Sequence, residues 1–190
     1  MQAAVRSIAE QRQIFRGADH AFQWKPKLRI PDIYENRANQ IAFGEFLNTC
    51  LCCDSEAQLV EAIHALNALH IKSIGPAAAN LLYFFHPTLI PPFNTAIVRG
   101  YNRIFGANVK LGSWQQYLVM RQGMLTFREE HATLFSDDLG AIAGFLFDVG
   151  SDGYPLPPSE ANPAELERWR HDLEQVRQEA AVSHRAARER

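Results

Sequence analysis

Cysteine is scarce and confined: the chain has three, Cys50, Cys52 and Cys53. A C-x-C-C cluster with no fourth soft ligand nearby does not close a metal site, and unpaired cysteines commonly serve as small buried apolar side chains. The seven histidines show no H-x-x-x-H or comparable spacing, so no metal is expected. No run of about 18 apolar residues occurs, and the opening MQAAVRSIAEQR lacks the apolar stretch of a secretory signal. The expectation is a soluble cytoplasmic protein without a membrane partner. An excess of basic charge is missing too: the formal charge is −2 and the pI about 6.4. Such a chain has no global attraction for nucleic acid, so any contact with it must be local. Convincing period-two alternation, repeats and low-complexity tracts are likewise absent, which points to an all-α fold. At 190 residues and 47% hydrophobic content, one domain with a proper core is expected.

What is present is a series of capped helical segments. A short helix is expected from Ala3 to Phe15, then an extended stretch through Trp24, Pro26 and Pro31. Ile41, Phe43, Phe46, Leu47 and Leu51 predict a buried helix ending near the cysteines, with Glu45 among apolar neighbours. Ser55 and Gln58 form a capping box before Leu59, Ile63 and Leu66, predicting a helix from Glu56 to Leu69. Gly75 suits a tight reversal, and Pro76 the first position of a new helix, where its missing N–H has no partner to lose. Leu81, Leu82, Phe84 and Phe85 give that helix a buried face, and His86-Pro87 stops it. Asn94 is placed to cap a helix bearing Ile97, Val98, Tyr101 and Phe105, closed by Gly106.

Ser113 predicts a cap for a helix from Trp114 to about Arg128, with Gly123 a weak point. Ser136 predicts another, carrying Leu139, Ile142, Ala143, Leu146 and Phe147 and ended by Gly150. The acidic pair Asp137 and Asp138 suits the first turn of that helix, where negative charge is favourable, better than it suits paired acid and base chemistry. The resulting organisation is a helical domain over 1–150, a linker over 151–163 and a charged C-terminal helix over 164–190. Along that last helix Leu166, Trp169, Leu173 and Val176 form a narrow stripe while acidic and basic residues nearly balance. The stripe suits a protein partner or self-association, and the balance argues against a basic arm for DNA.

Between Ile71 and Arg103 the order is helix, hairpin, helix, loop, helix. A hairpin there leaves backbone N–H groups at a helix N-terminus, where partial positive charge favours a phosphate. This stretch resembles the helix-hairpin-helix superfamily of base-excision DNA glycosylases, the group of endonuclease III and the adenine-mispair glycosylases. Their hairpin pattern, roughly L-P-G-V-G-x-K-T-A, falls on I-K-S-I-G-P-A-A-A from Ile71 to Ala79. Their V-D-T-H-x-x-R pattern falls on F-N-T-A-I-V-R from Phe93 to Arg99. The interval between the patterns also fits, with Ala77 seventeen residues before Asn94. The resemblance implies a local, salt-sensitive DNA contact through Lys72, Ser73, Ile74, Gly75, Pro76 and Ala77, with Arg99 and Arg103 beside them.

The departures fall on the residues that carry the family's chemistry. Its hairpin lysine, the nucleophile of lyase-active members, is replaced by Ala77. Its catalytic aspartate is replaced by Asn94, which caps equally well but brings no negative charge to a developing sugar cation. Losing one such group typically costs about 3 to 4 kcal/mol of barrier. The four-cysteine iron–sulfur cluster of many relatives has no counterpart after Cys53, so no cofactor is implied. Between Glu45 and the hairpin there is less chain than these enzymes use for their helical barrel, which implies a trimmed or rearranged fold. In adenine-mispair glycosylases a glutamate on an early helix protonates the base, which makes Glu45 a candidate alongside Asn94 and Asp148. Three readings stand open. The first is a divergent glycosylase-like protein that binds DNA, or an unusual or damaged base, without aspartate-dependent chemistry. The second is an active N-glycosylase, without lyase activity, that uses another carboxylate. The third is a helical interaction scaffold without DNA binding.

Overall fold

In a computed structural model, residues 31–72, 74–158 and 162–188 are described, and all regular structure among them is helical. The expected helix at Ala3 to Phe15 lies outside those residues. Pro31, expected in an extended stretch, instead opens the one-turn helix α1 (Pro31–Tyr34). α2 (Arg37–Leu51) begins at Asn36, whose side chain accepts from the amides of Ala38 and Asn39. Its buried face is Phe43, Phe46 and Cys50. Ile41 and Leu51, expected on that face, are 48% and 60% exposed. At about 100° per residue they fall well off the line through Phe43, Phe46 and Cys50.

α3 (Glu56–Ala68) starts at Ser55, whose hydroxyl accepts from the Gln58 amide at 3.3 Å. The Gln58 side chain reaches back to the Asp54 amide at 3.0 Å, one residue earlier than a strict capping box requires. α4 (Gly75–Phe85) has Pro76 as its second residue and ends at His86. Leu81 and Leu82 are buried, but Phe85, the last residue of the helix, is 38% exposed. α5 (Thr95–Phe105) is capped by Asn94 and closed by Gly106 in the left-handed conformation, φ 59°. α6 (Trp114–Glu130) is capped by Ser113, and α7 spans Leu139–Gly150. α8 (Pro163–Arg188) follows, with Asn162 Oδ1 accepting from the Glu165 amide at 2.9 Å.

The cap of α7 corrects the sequence reading. Asp138, not Ser136, precedes the helix and accepts from the Gly140 amide at 2.7 Å. The same carboxylate oxygen accepts from Tyr83 Oη at 3.0 Å, and Leu139 N donates to Pro87 O at 2.9 Å. The start of α7 is thereby fixed to α4 and its C-terminal turn. Burial pushes the Tyr83 phenol well above its ordinary range, reinforced by the Asp138 charge and their hydrogen bond.

α5 and α7 form the closest helix pair, and glycines make the approach. A β-carbon at Gly100 would collide with Leu146 O, and one at Gly150 with Ala96 O. Gly100, in the middle of α5, costs about 1 kcal/mol of helix propensity against alanine, offset here by backbone-to-backbone packing. Gly123, a weak point by sequence, is where Tyr101 Oη seats on α6. Around these crossings Leu59, Ile63, Leu82, Ile97, Met120, Met124, Ile142 and Leu146 are fully buried. Among the described residues no helix is long and apolar enough to cross a membrane.

Candidate functional site

The chain turns between Ala68 and Gly75 with buried Ile71 and Ile74 as anchors. The left-handed residue of this turn is His70, φ 52°, not Gly75, which is already the first helical residue of α4. Among the described residues, the left-handed backbone expected at Gly75 thus falls five residues earlier, in a residue type that tolerates that conformation. Ile74 occupies the cap position of α4 and brings no side-chain hydrogen bond to the helix start. Among the described residues, which exclude Ser73, no side chain caps the first amides of α4 as Ser55, Asn94 and Ser113 cap other helices.

A second donor lies against the same point. Trp114 is 4% exposed, and its Nε1 has no hydrogen-bond acceptor among the described residues. A β-carbon at Gly75 would stand 3.7 Å from that nitrogen. Lys72 is exposed, but its amide donates to Asp32 Oδ2 at 3.3 Å, so a carboxylate also borders the turn. Ser73 lies outside the described residues. Pro76 and Ala77 occupy the first turn of α4.

The loop from His86 to Asn94 is held by side chains that bind four of its carbonyls. Arg128 Nη1 donates to Thr88 O at 2.8 Å, Arg121 Nε to Leu89 O at 2.6 Å, and Tyr117 Oη to Pro91 O at 3.0 Å. Asn80, buried within α4, clasps Phe93 from both sides: its Nδ2 donates to Phe93 O at 2.9 Å and its Oδ1 accepts from Phe93 N at 3.3 Å. The next residue, Asn94, is 8% exposed and its Oδ1 accepts from the Ile97 amide at 2.9 Å. α4 and α6 together thus set where α5 begins and fix the Asn94 side chain as its cap. Sequence reasoning missed Asn80, although a lone amide in the apolar run AAANLLYFF is itself a signal of a buried polar clasp.

The remaining candidates are placed as follows. Arg99 Nη2 lies 2.6 Å from Asp152 Oδ2, and Arg103 Nη1 is 2.5 Å from Asp152 Oδ1 and 2.9 Å from Val149 O. Both arginines on α5 are thereby engaged by the turn after α7. Hydrogen bonding from Arg103 first, then Arg99, holds the Asp152 carboxyl below its usual range. Glu45 is exposed on α2. Asp148 lies on the exposed side of α7, and partial desolvation raises its carboxyl above the ordinary range.

Cys50 is fully buried and its thiol is pushed up to about 12, chiefly by that burial, so it is inert as a nucleophile. Among the described residues no three His, Cys, Asp or Glu side chains are grouped to hold a metal. A surface cleft of about 460 Å³ opens between α3 and α6, lined by Val60, His64, Leu118, Glu56 and Arg121. Arg121 is 3% exposed; its Nη2 lies 2.8 Å from Glu56 Oε1 but outside hydrogen-bond geometry, so charge alone pairs them.

Among the described residues, fold and site define a helical protein in which no side chain caps the start of α4 and a neutral amide stands where α5 begins. Comparison with family models, curated proteins and solved structures finds no match to this chain.

Proposed function

We propose that this chain is a divergent relative of the helix-hairpin-helix DNA glycosylases that binds DNA at the start of α4 without aspartate-dependent chemistry. The observation that carries the reading is the pairing of an uncapped helix N-terminus with the buried, acceptorless Trp114 Nε1 beside Gly75. A phosphate oxygen at the helix start supplies an acceptor to its free amides, and the indole N–H, closed off from solvent directly behind them, adds to the positive potential there. Exposed Lys72 adds charge there, while Asp32 limits it. The contact is therefore weak, salt-sensitive and indifferent to sequence. Asn94 and Ala77 supply neither the carboxylate nor the amine of the family reaction.

The test is a panel of duplexes containing damaged bases and abasic sites, assayed for binding, base release and borohydride trapping. Binding without base release and without a covalent adduct is expected. Base release that survives Asn94→Ala in a folded protein would overturn the silent-site reading and direct attention to Glu45 or Asp148. Absence of both binding and release would favour an interaction scaffold.

A further inference from the structure

We propose that α8 pairs with α8 of a second copy of this chain as a short parallel coiled coil. Leu166, Trp169, Leu173 and Val176 recur at spacings of three, four and three along α8, the a and d positions of a heptad. All four are half-buried, and among the described residues none belongs to the hydrophobic core or packs against it. Trp169 Nε1 donates to Pro155 O at 2.9 Å, which ties the preceding segment to the helix.

The charges select the occupant. With Leu166 at a, the g positions are Glu165, Asp172 and Glu179, and the e positions are Arg170, Arg177 and His184. One flank of the stripe is acidic throughout and the other carries the basic residues. In a parallel pair each g residue lies beside the e residue of the following heptad on the other helix. Glu165 then meets Arg170 of the second copy, and Asp172 meets Arg177. An antiparallel pair would set g beside g and e beside e, acid against acid and base against base. The stripe therefore matches itself in one orientation. Within one helix Arg170 and Arg177 rest 3.8 Å from Glu167 and Glu174, and their side chains are exposed. These loose contacts leave the guanidinium groups free to reach across. The next heptad places Ala180 and Ser183 at a and d, so the apolar seam is short and the association weak. This inference stands independently of DNA binding.

Sedimentation velocity of the full chain under reducing conditions, over a wide concentration range, tests it. Wild type is expected to shift from monomer to dimer with concentration, and Leu173→Asp to remain monomeric. Arg170→Glu with Arg177→Glu makes the first two e positions acidic like the g flank, and Glu165→Arg with Asp172→Arg makes the first two g positions basic like the e flank. Each double variant alone should be monomeric, and an equimolar mixture of the two should recover the dimer, with circular dichroism confirming that both retain their helix content. A wild type that stays monomeric at every concentration overturns the proposal. So does a wild-type-like dimer formed by either double variant alone, or a mixture that fails to associate.

Discussion

Asn80 and Asp152 each organise a segment distant in sequence. Replacing Asn80 by alanine removes both bonds to Phe93 and strands its N–H and C=O in the interior. At about 1 kcal/mol per net bond, and up to about 3 for a stranded buried group, the loss should be about 3 kcal/mol. Equilibrium urea unfolding measures it; a change below about 1 kcal/mol would mean that water or a rearranged loop takes over the role. Asp152 adopts φ 62° and holds Arg99 and Arg103. Because its folded carboxyl lies below the unfolded value, the pairing contributes above the ordinary carboxylate range and is lost as pH falls through the folded value. At neutral pH the arginines stay engaged. Asp152→Asn keeps a residue that tolerates the left-handed backbone and removes the carboxylate charge from both guanidinium groups, leaving Arg103 its bond to Val149 O. If they border a DNA path, affinity at low salt should rise and the dependence on salt should steepen by up to about two phosphate contacts. Unchanged affinity and slope in a duplex titration would remove Arg99 and Arg103 from the interface.

The α5–α7 crossing is the element-scale feature most sensitive to a single atom. Gly100→Ala gains about 1 kcal/mol of helix propensity but drives a methyl group into Leu146 O. Overpacking against backbone costs about 1 to 3 kcal/mol or more. A net loss of roughly 2 kcal/mol is expected, read as a lowered melting temperature; equal or higher stability would mean that the helices separate freely. This crossing was not legible in the sequence, where Gly100 looks like an ordinary helix glycine and Gly150 like a helix end, because its cause is a contact between segments distant along the chain. Local signals fared better. Ser55, Asn94, Ser113 and Gly106 were readable because a cap binds an amide two or three residues away, or needs only its own backbone angle. Asp138 displaced Ser136 as the cap of α7 because its carboxylate also reaches Tyr83 across the fold, a preference no local pattern records. The same limit applies to the site: Asn94 as a cap was local and legible, whereas Trp114 beside Gly75 and Asp152 beside Arg99 and Arg103 required the tertiary structure.

For the whole molecule, a near-neutral chain with its α5 arginines engaged by an acidic residue has little long-range pull on DNA, so recognition must rest on directed donors at one place. The start of α4 is that place in this account, and Gly75→Asp tests it most directly. A β-carbon there makes only ordinary contact with Trp114. A carboxylate at this position accepts from the helix amides and from the indole N–H, an internal substitute for the phosphate that is favourable to the helix by about 0.3 to 1 kcal/mol. Binding of wild type and Gly75→Asp to an abasic-analogue duplex, titrated across salt concentration with melting curves in parallel, is the decisive measurement. The account predicts weak, salt-sensitive binding by wild type and none by a variant that melts no lower than wild type. A folded Gly75→Asp protein that binds the duplex as tightly as wild type, or a wild type that does not bind at low salt, would contradict it.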